Sequence, residues 1–236
     1  MIRSSALAMA LASAGLPMAS PAEPQPVVVE LFTSQGCASC PPADRMLAKL
    51  AGRDDVIALA LHVDYWDYMG WADEYAQPGF TKRQKSYARA TGERMIYTPQ
   101  MVVNGIDSVP GNRPAEVVQT IGAHAGADGG VALRLAREGG GVRVRAALDG
   151  PLAGPPGPMK VHLVTFAPHR RAAIGAGENA GHVIDYANVV TSWRSVGTWD
   201  GAAPLDLSLE APGDGAVAVL IQREGPGAIV AAARLD

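Results

Sequence analysis

Cys37-Ala38-Ser39-Cys40 contains both cysteines of a 236-residue chain. The pair directly follows an apolar, β-like run, Pro26 to Phe32, and directly precedes an amphipathic helical pattern from Ala43 to Leu50. Few folds place a C-x-x-C at a strand-to-helix junction, and those that do use it for dithiol/disulfide chemistry. As a staple the pair would achieve little, because closing a loop this short removes little entropy from the unfolded chain. Two other readings stay open at this level: an inert bridge, or two thiolate ligands of a soft metal such as copper.

The N-terminus reads as an export signal covering residues 1–22. Arg3 supplies a short positive region, Ala6 to Ala19 is apolar and small, and Ser20-Pro21-Ala22 is a cleavage pattern. The apolar run is shorter than the roughly 20 residues a membrane helix needs, so no stable span is expected after cleavage. The expected location is the periplasm or the extracellular space, where disulfides persist. A net charge of −3 provides no basic footprint, and nucleic acid is not an expected partner. No phosphate loop, serine elbow or dinucleotide fingerprint is present, and no cofactor is expected.

Strand and helix signals alternate over residues 26–125. Val27 to Phe32 is a strand, 42–51 a helix stopped by Gly52, and Val56 to Val63 a continuous apolar run suited to a buried parallel strand. Thr81 to Ala90 reads as a second helix stopped by Gly92. Gln100 to Val103, Asn104-Gly105 and Ile106 to Val109 form a hairpin signal with a type I′ turn. Asn112 is the expected cap of a last helix that ends near Gly126. This order, β-α-β-α-β-β-α, predicts a thioredoxin-like α/β domain over 23–126. Beyond the linker-like Gly126-Ala127-Asp128-Gly129-Gly130, strand signals dominate, and 131–236 reads as an antiparallel, sandwich-like β domain.

Several segments resemble an uncharacterised family of secreted bacterial proteins with a thioredoxin-like N-terminal half. They are Val28 to Asp44 around the cysteines, His62 to Trp71, Tyr97 to Gly105, Gly177-Glu178-Asn179, Asn188-Val189-Val190 and Gly197 to Gly201. The resemblance spans nearly the whole mature chain. It implies fold and export rather than a particular activity.

The expected activity is thiol–disulfide exchange on an exported protein or a small thiol or disulfide. Cys37, the more N-terminal thiol at a turn with free N–H groups, is expected to attack, and Cys40 to resolve. Thr98-Pro99 stands where a cis proline would face the cysteines and offer a strand edge to substrate. Glu30 is the candidate proton shuttle, its carboxylate expected to be raised by desolvation in the strand. Pro41 is expected to push Cys40 out of helical geometry and weaken help from the helix dipole. In the unusual segment His62 to Trp71, Tyr65, Trp66 and Trp71, with Tyr68, could cap the cysteines and bind substrate or simply pack. His62 and His182 are the histidines best placed to join the cysteines on a metal. A non-catalytic, partner-binding role is the remaining alternative.

Overall fold

The computed structural model describes residues 25–211 and 215–236; the expected export signal lies outside the described residues. Strand β1 (Val27–Thr33) and strand β2 (Val56–His62) run parallel, in register from Val27↔Val56 to Thr33↔His62. Every residue of both strands is buried, which explains their continuous apolar runs. Helix α1 (Pro41–Ala51) makes the crossover between them. On the other side of β1, strand β3 (Gln100–Val103) pairs antiparallel and turns into β4 (Asp107–Pro110). The turn is built on Asn104 (φ 47) and Gly105 (φ 71), the double left-handed geometry its sequence predicts. Asn104 also locks the hairpin to β1, accepting the Val28 N–H at Oδ1 and donating its own N–H to the Val28 carbonyl.

Alternation along β1 assigns its two faces. Val27, Val29 and Leu31 pack against Leu47 of α1 and Val117 and Ile121 of α3 (Pro114–His124). Val28 and Phe32 face Phe80 and Tyr87 of α2 (Pro78–Thr91). Helix α2 begins at Pro78, ahead of the expected Thr81, and α3 is capped by Arg113 rather than Asn112. In both, a proline takes the first helical position, where its missing N–H costs nothing, and so marks the start.

The C-terminal strands divide between two sheets. Strands β5 (Val131–Glu138), β6 (Gly141–Leu148) and β9 (Leu205–Glu210) form a three-stranded antiparallel sheet. The long strands β7 (Met159–Ala173) and β8 (Val183–Trp199) join β10 (Ala216–Arg223) and β11 (Ile229–Leu235) in extending the first sheet. The result is one eight-stranded sheet, β11-β10-β7-β8-β2-β1-β3-β4, mostly antiparallel. The small sheet closes over its outer part, with Val142, Val144, Val161, Leu163, Val219 and Ile221 in the core between them. The sandwich-like packing of the C-terminal half is therefore continuous with the first half rather than docked onto it. The join is slender: β2 and β8 share one paired position, Ala60↔Val189. Beside it Asn188 adopts φ 49, and its amide donates to the Ala58 carbonyl (2.9 Å), so a side chain completes what the ladder omits.

Candidate functional site

Cys37 and Cys40 form a disulfide, with their Cα atoms 5.4 Å apart, at the junction of β1 and α1. Pro41 does not push Cys40 out of the helical region. Cys40 is the N-cap with φ −78° and ψ −36°, held by its N–H on the Cys37 carbonyl and by its own carbonyl on the N–H groups of Ala43 and Asp44. The bonds and the bridge outweigh the steric bias of the following proline, and the pair opens the helix directly. Both cysteines are fully buried, whereas Ala38 and Ser39 between them are exposed.

Three segments cover the bridge. The first is the aromatic segment after β2: Trp66 leaves so little room that a Cβ on Gly36 would lie 3.2 Å from its own Cβ. Its indole N–H donates to the Thr98 hydroxyl at 2.7 Å. Trp71 donates its indole N–H to Gln35 at 2.7 Å, while Tyr68 points into solvent and Tyr65 packs on the α2-side core. The second is the Thr98-Pro99 turn, whose bond is cis. Pro99 and Ala43 both crowd the site of a Cβ on Gly111, at 3.2 and 3.1 Å, which places the proline against the first turn of α1. The third is the tip of the β7–β8 hairpin. Buried Asn179 donates its amide to the carbonyls of Gln35 and Cys37, both at 2.9 Å, and Glu178 accepts the Ala38 N–H at 3.1 Å. Sequence reasoning noted Gly177-Glu178-Asn179 without assigning it a place. Nothing local in residues 177–179 points to a partner 142 positions earlier in the chain.

Glu30 is not beside the cysteines. Strand alternation turns it to the α2 face, fully buried, where Arg83 grips it with two bonds of 2.5 and 2.8 Å and Tyr87 donates to it at 2.6 Å. Burial and then the Arg83 and Glu30 charges act on the Tyr87 phenol, with a net rise well above its ordinary value. Gln222 of β10 closes the cluster on both Arg83 and Tyr87. Glu30 is an anchor that joins β1, α2 and β10, with both carboxylate oxygens held by Arg83 and Tyr87 rather than turned to the cysteines as the proton-shuttle expectation required.

The acid beside the disulfide is Asp44. It lies one helical turn beyond Cys40 on the same face of α1, its N–H on the Cys40 carbonyl at 3.0 Å. Thr33, also turned to the α1 face, donates its hydroxyl to Asp44 Oδ1 at 2.8 Å. Oδ2 is buried with no hydrogen-bond partner among the described residues. Burial pushes the carboxyl up to about 7, against the lowering influence of His62 and of the Thr33 hydroxyl. Next to it His62, fully buried at the end of β2, bonds through Nδ1 to Asp73 at 2.7 Å and leaves Nε2 without a partner. Burial raises the Asp73 carboxyl, but His62 and the N–H groups of Gln35 and Tyr75 more than reverse this, so it is held below the usual range. An ionised Asp73 orients the ring with Nδ1–H as donor. Tyr75 and Tyr186 enclose the ring edge-to-face at 5.3 and 4.8 Å. The signal for Asp44 was present in the i, i+4 spacing from Cys40; the His62–Asp73 pair carried none.

Among the described residues, no group of three or more His, Cys, Asp or Glu is arranged to hold a metal ion. His62 turns to Asp73 instead, which removes the local support for a copper site there. Among the same residues no helix is long and apolar enough to cross a membrane.

Fold and site together define a mixed α/β protein whose large, mostly antiparallel sheet carries a C-x-x-C disulfide where a buried parallel strand meets a helix. The chain belongs to the family described as a protein of unknown function, DUF1223, whose profile matches residues 28–222, in keeping with the resemblance read from its motifs. The crystal structure of protein AGR_C_4864 from Agrobacterium tumefaciens is similar, with 34% identity and a TM-score of 0.74, covering 89% of this chain and 93% of that one. HBP35 of Porphyromonas gingivalis shares the fold, with a TM-score of 0.58 at 16% identity, covering 90% of this chain and 75% of that one. No curated protein matches the chain.

Proposed function

We propose that this protein is an exported thiol–disulfide oxidoreductase, thioredoxin-like over residues 23–126, with the β-rich residues 131–236 acting as the cover of its redox centre. The observation that carries the reading is Asp44: a buried carboxyl near neutrality, with one oxygen unpartnered, on the same helical face as Cys40. A static bridge has no use for a group that can exchange a proton at pH 7, and an unpartnered buried oxygen costs stability.

In the oxidising direction a substrate thiolate attacks Cys37 Sγ, a mixed disulfide forms, and Cys40 leaves as a thiolate. Asp44 delivers the proton that neutralises it and is reprotonated from water that enters as the site opens. A second substrate thiolate attacks its partner sulfur in the mixed disulfide, releasing Cys37 and completing the transfer of two electrons from substrate to the pair. The reverse sequence reduces a substrate disulfide, with Asp44 accepting the Cys40 proton. Because Cys37 is covered, the hairpin tip at Glu178 and Asn179 must lift before either sequence begins. Pro99 and the Trp66–Thr98 pair then border the opened sulfur and present the surface on which an exported protein or small thiol docks.

The test uses Cys40→Ala protein, which leaves Cys37 as the single thiol. Exposed to glutathione disulfide at pH 7, it is expected to form the mixed disulfide at least about tenfold faster than an unfolded peptide thiol. A rate equal to the peptide's, followed by intact mass, sinks the oxidoreductase reading.

A further inference from the structure

Helix α2 packs over the sheet through Phe80 and Tyr87, and beside it a stretch of β7, β8 and β10 is left open. Lys160, His162, Trp193 and Gln222 stand side by side on that open stretch, as the strand registers Lys160↔Gln222, His162↔Leu220 and Val164↔Trp193 require. Between them and α2 lies a cavity of about 680 Å³, within the ~300–1,000 Å³ typical of small-molecule sites.

Two features of the cavity ask for a ligand. The first is at its floor, where the Arg83 guanidinium lies 3.8 Å over the Trp193 ring. Among the described residues, the buried Trp193 indole N–H has no partner, and neither has the buried Nδ1 of His162, which is 8% exposed. The second feature is charge. Lys82, Arg89 and Lys160 are exposed around the rim and none is paired with an acid among the described residues, and Arg223 is tied to the carbonyls of Ala153 and Pro155. Arg83 is already neutralised by Glu30, and Glu224 is the one acid in the lining. Within a chain of net charge −3, this is a concentrated positive mouth over an apolar wall made by Phe80 and Trp193. Burial, aided by Arg83 and Lys160, pushes the His162 imidazole down to about 4, so at neutral pH it contributes a hydrogen-bonding group and no charge.

We propose that this cavity binds an amphipathic carboxylate: a small molecule whose apolar body lies along Phe80 and Trp193 and whose acid group meets the Lys82, Arg89 and Lys160 rim. A bare inorganic anion would satisfy the rim but leave the apolar wall in water. A neutral apolar ligand would leave the three cations unused. The site owes nothing to Cys37 and Cys40, which lie at the far end of β1, so it stands or falls apart from the redox reading.

The probe is 4-phenylbutyrate, with 4-phenylbutylamine as the matched cation. Binding is followed through the Trp193 indole N–H in ¹H–¹⁵N spectra, assigned by its loss in Trp193→Phe. The carboxylate is expected to shift this signal saturably with a Kd below about 1 mM and to bind at least about tenfold tighter than the amine. Lys160→Glu, an exposed position that leaves the core intact, is expected to weaken it about tenfold. No saturable shift up to about 10 mM, equal binding of the amine, or unchanged affinity in Lys160→Glu would each overturn the proposal.

Discussion

The two faces of the central sheet each bury a carboxylate, Glu30 on one and Asp44 on the other, and they treat it in opposite ways. On the α2 face Glu30 receives Arg83 twice and Tyr87 once, and Gln222 braces both partners. On the α1 face Asp44 receives Thr33 on one oxygen and nothing on the other, next to a histidine with a free nitrogen. A buried charge with every partner supplied is an element of architecture, because removing any member strands the rest. A buried acid left half satisfied is held near neutrality instead, and only such a group can move a proton where the disulfide opens. The difference teaches that burial alone does not set how a carboxyl is held; the partner inventory does.

Three measurements would break or sharpen that contrast. The largest effect belongs to Glu30→Gln, which keeps the shape but leaves Arg83 buried without its counter-charge. Chemical denaturation is expected to show a loss of about 3–5 kcal/mol, with the exchange rate per folded molecule unchanged. A loss under about 1 kcal/mol would mean that Glu30 does not anchor the sheet.

Asp44→Asn should do the reverse. Exchange at pH 7 is expected to slow about 100-fold, while the fold gains. Folded Asp44 keeps its proton up to about pH 7, whereas in the unfolded chain it is lost near pH 4, so stability declines as pH rises between these values and is level above. The variant should lack that decline and be on the order of 2 kcal/mol more stable than the parent at pH 8. Equal exchange rates in the two proteins would remove Asp44 from the chemistry.

The smallest effect is expected from Asn179→Ala, which frees the carbonyls of Gln35 and Cys37 from the hairpin tip. Global stability should fall by about 1–2 kcal/mol, and reduction of the disulfide by dithiothreitol should accelerate by about tenfold as the cover loosens. Reduction at the parental rate would show that the tip does not control access to the bridge.

Much of the fold was legible in the chain. Continuous apolar runs marked β1 and β2, Gly52 and Gly92 marked helix ends, and Asn104-Gly105 marked the hairpin, each through chemistry confined to a few neighbouring residues. Helix starts were less legible where a proline, not a side-chain cap, set the first turn. At the site, the cysteines and the Thr98-Pro99 turn could be placed from their positions alone. The acid could not, since β1 carries Glu30 and α1 carries Asp44 on opposite faces, and a one-residue change in strand phase exchanges which face meets the cysteines.

By itself, then, the sequence determined the local elements, the cysteine pair at their junction and the family. Local dihedral preference, apolar period and turn chemistry are properties of short windows, and each was sufficient for its element. Only the tertiary structure decided that the two halves share one sheet, that Asn179 from the far hairpin holds the Cys37 carbonyl, and that Gln222 of β10 closes the cluster around Glu30. Those outcomes rest on which backbone and side-chain groups find partners across more than a hundred residues of chain. Polar satisfaction inside a packed core is settled for the whole molecule at once, and no short window of sequence contains it.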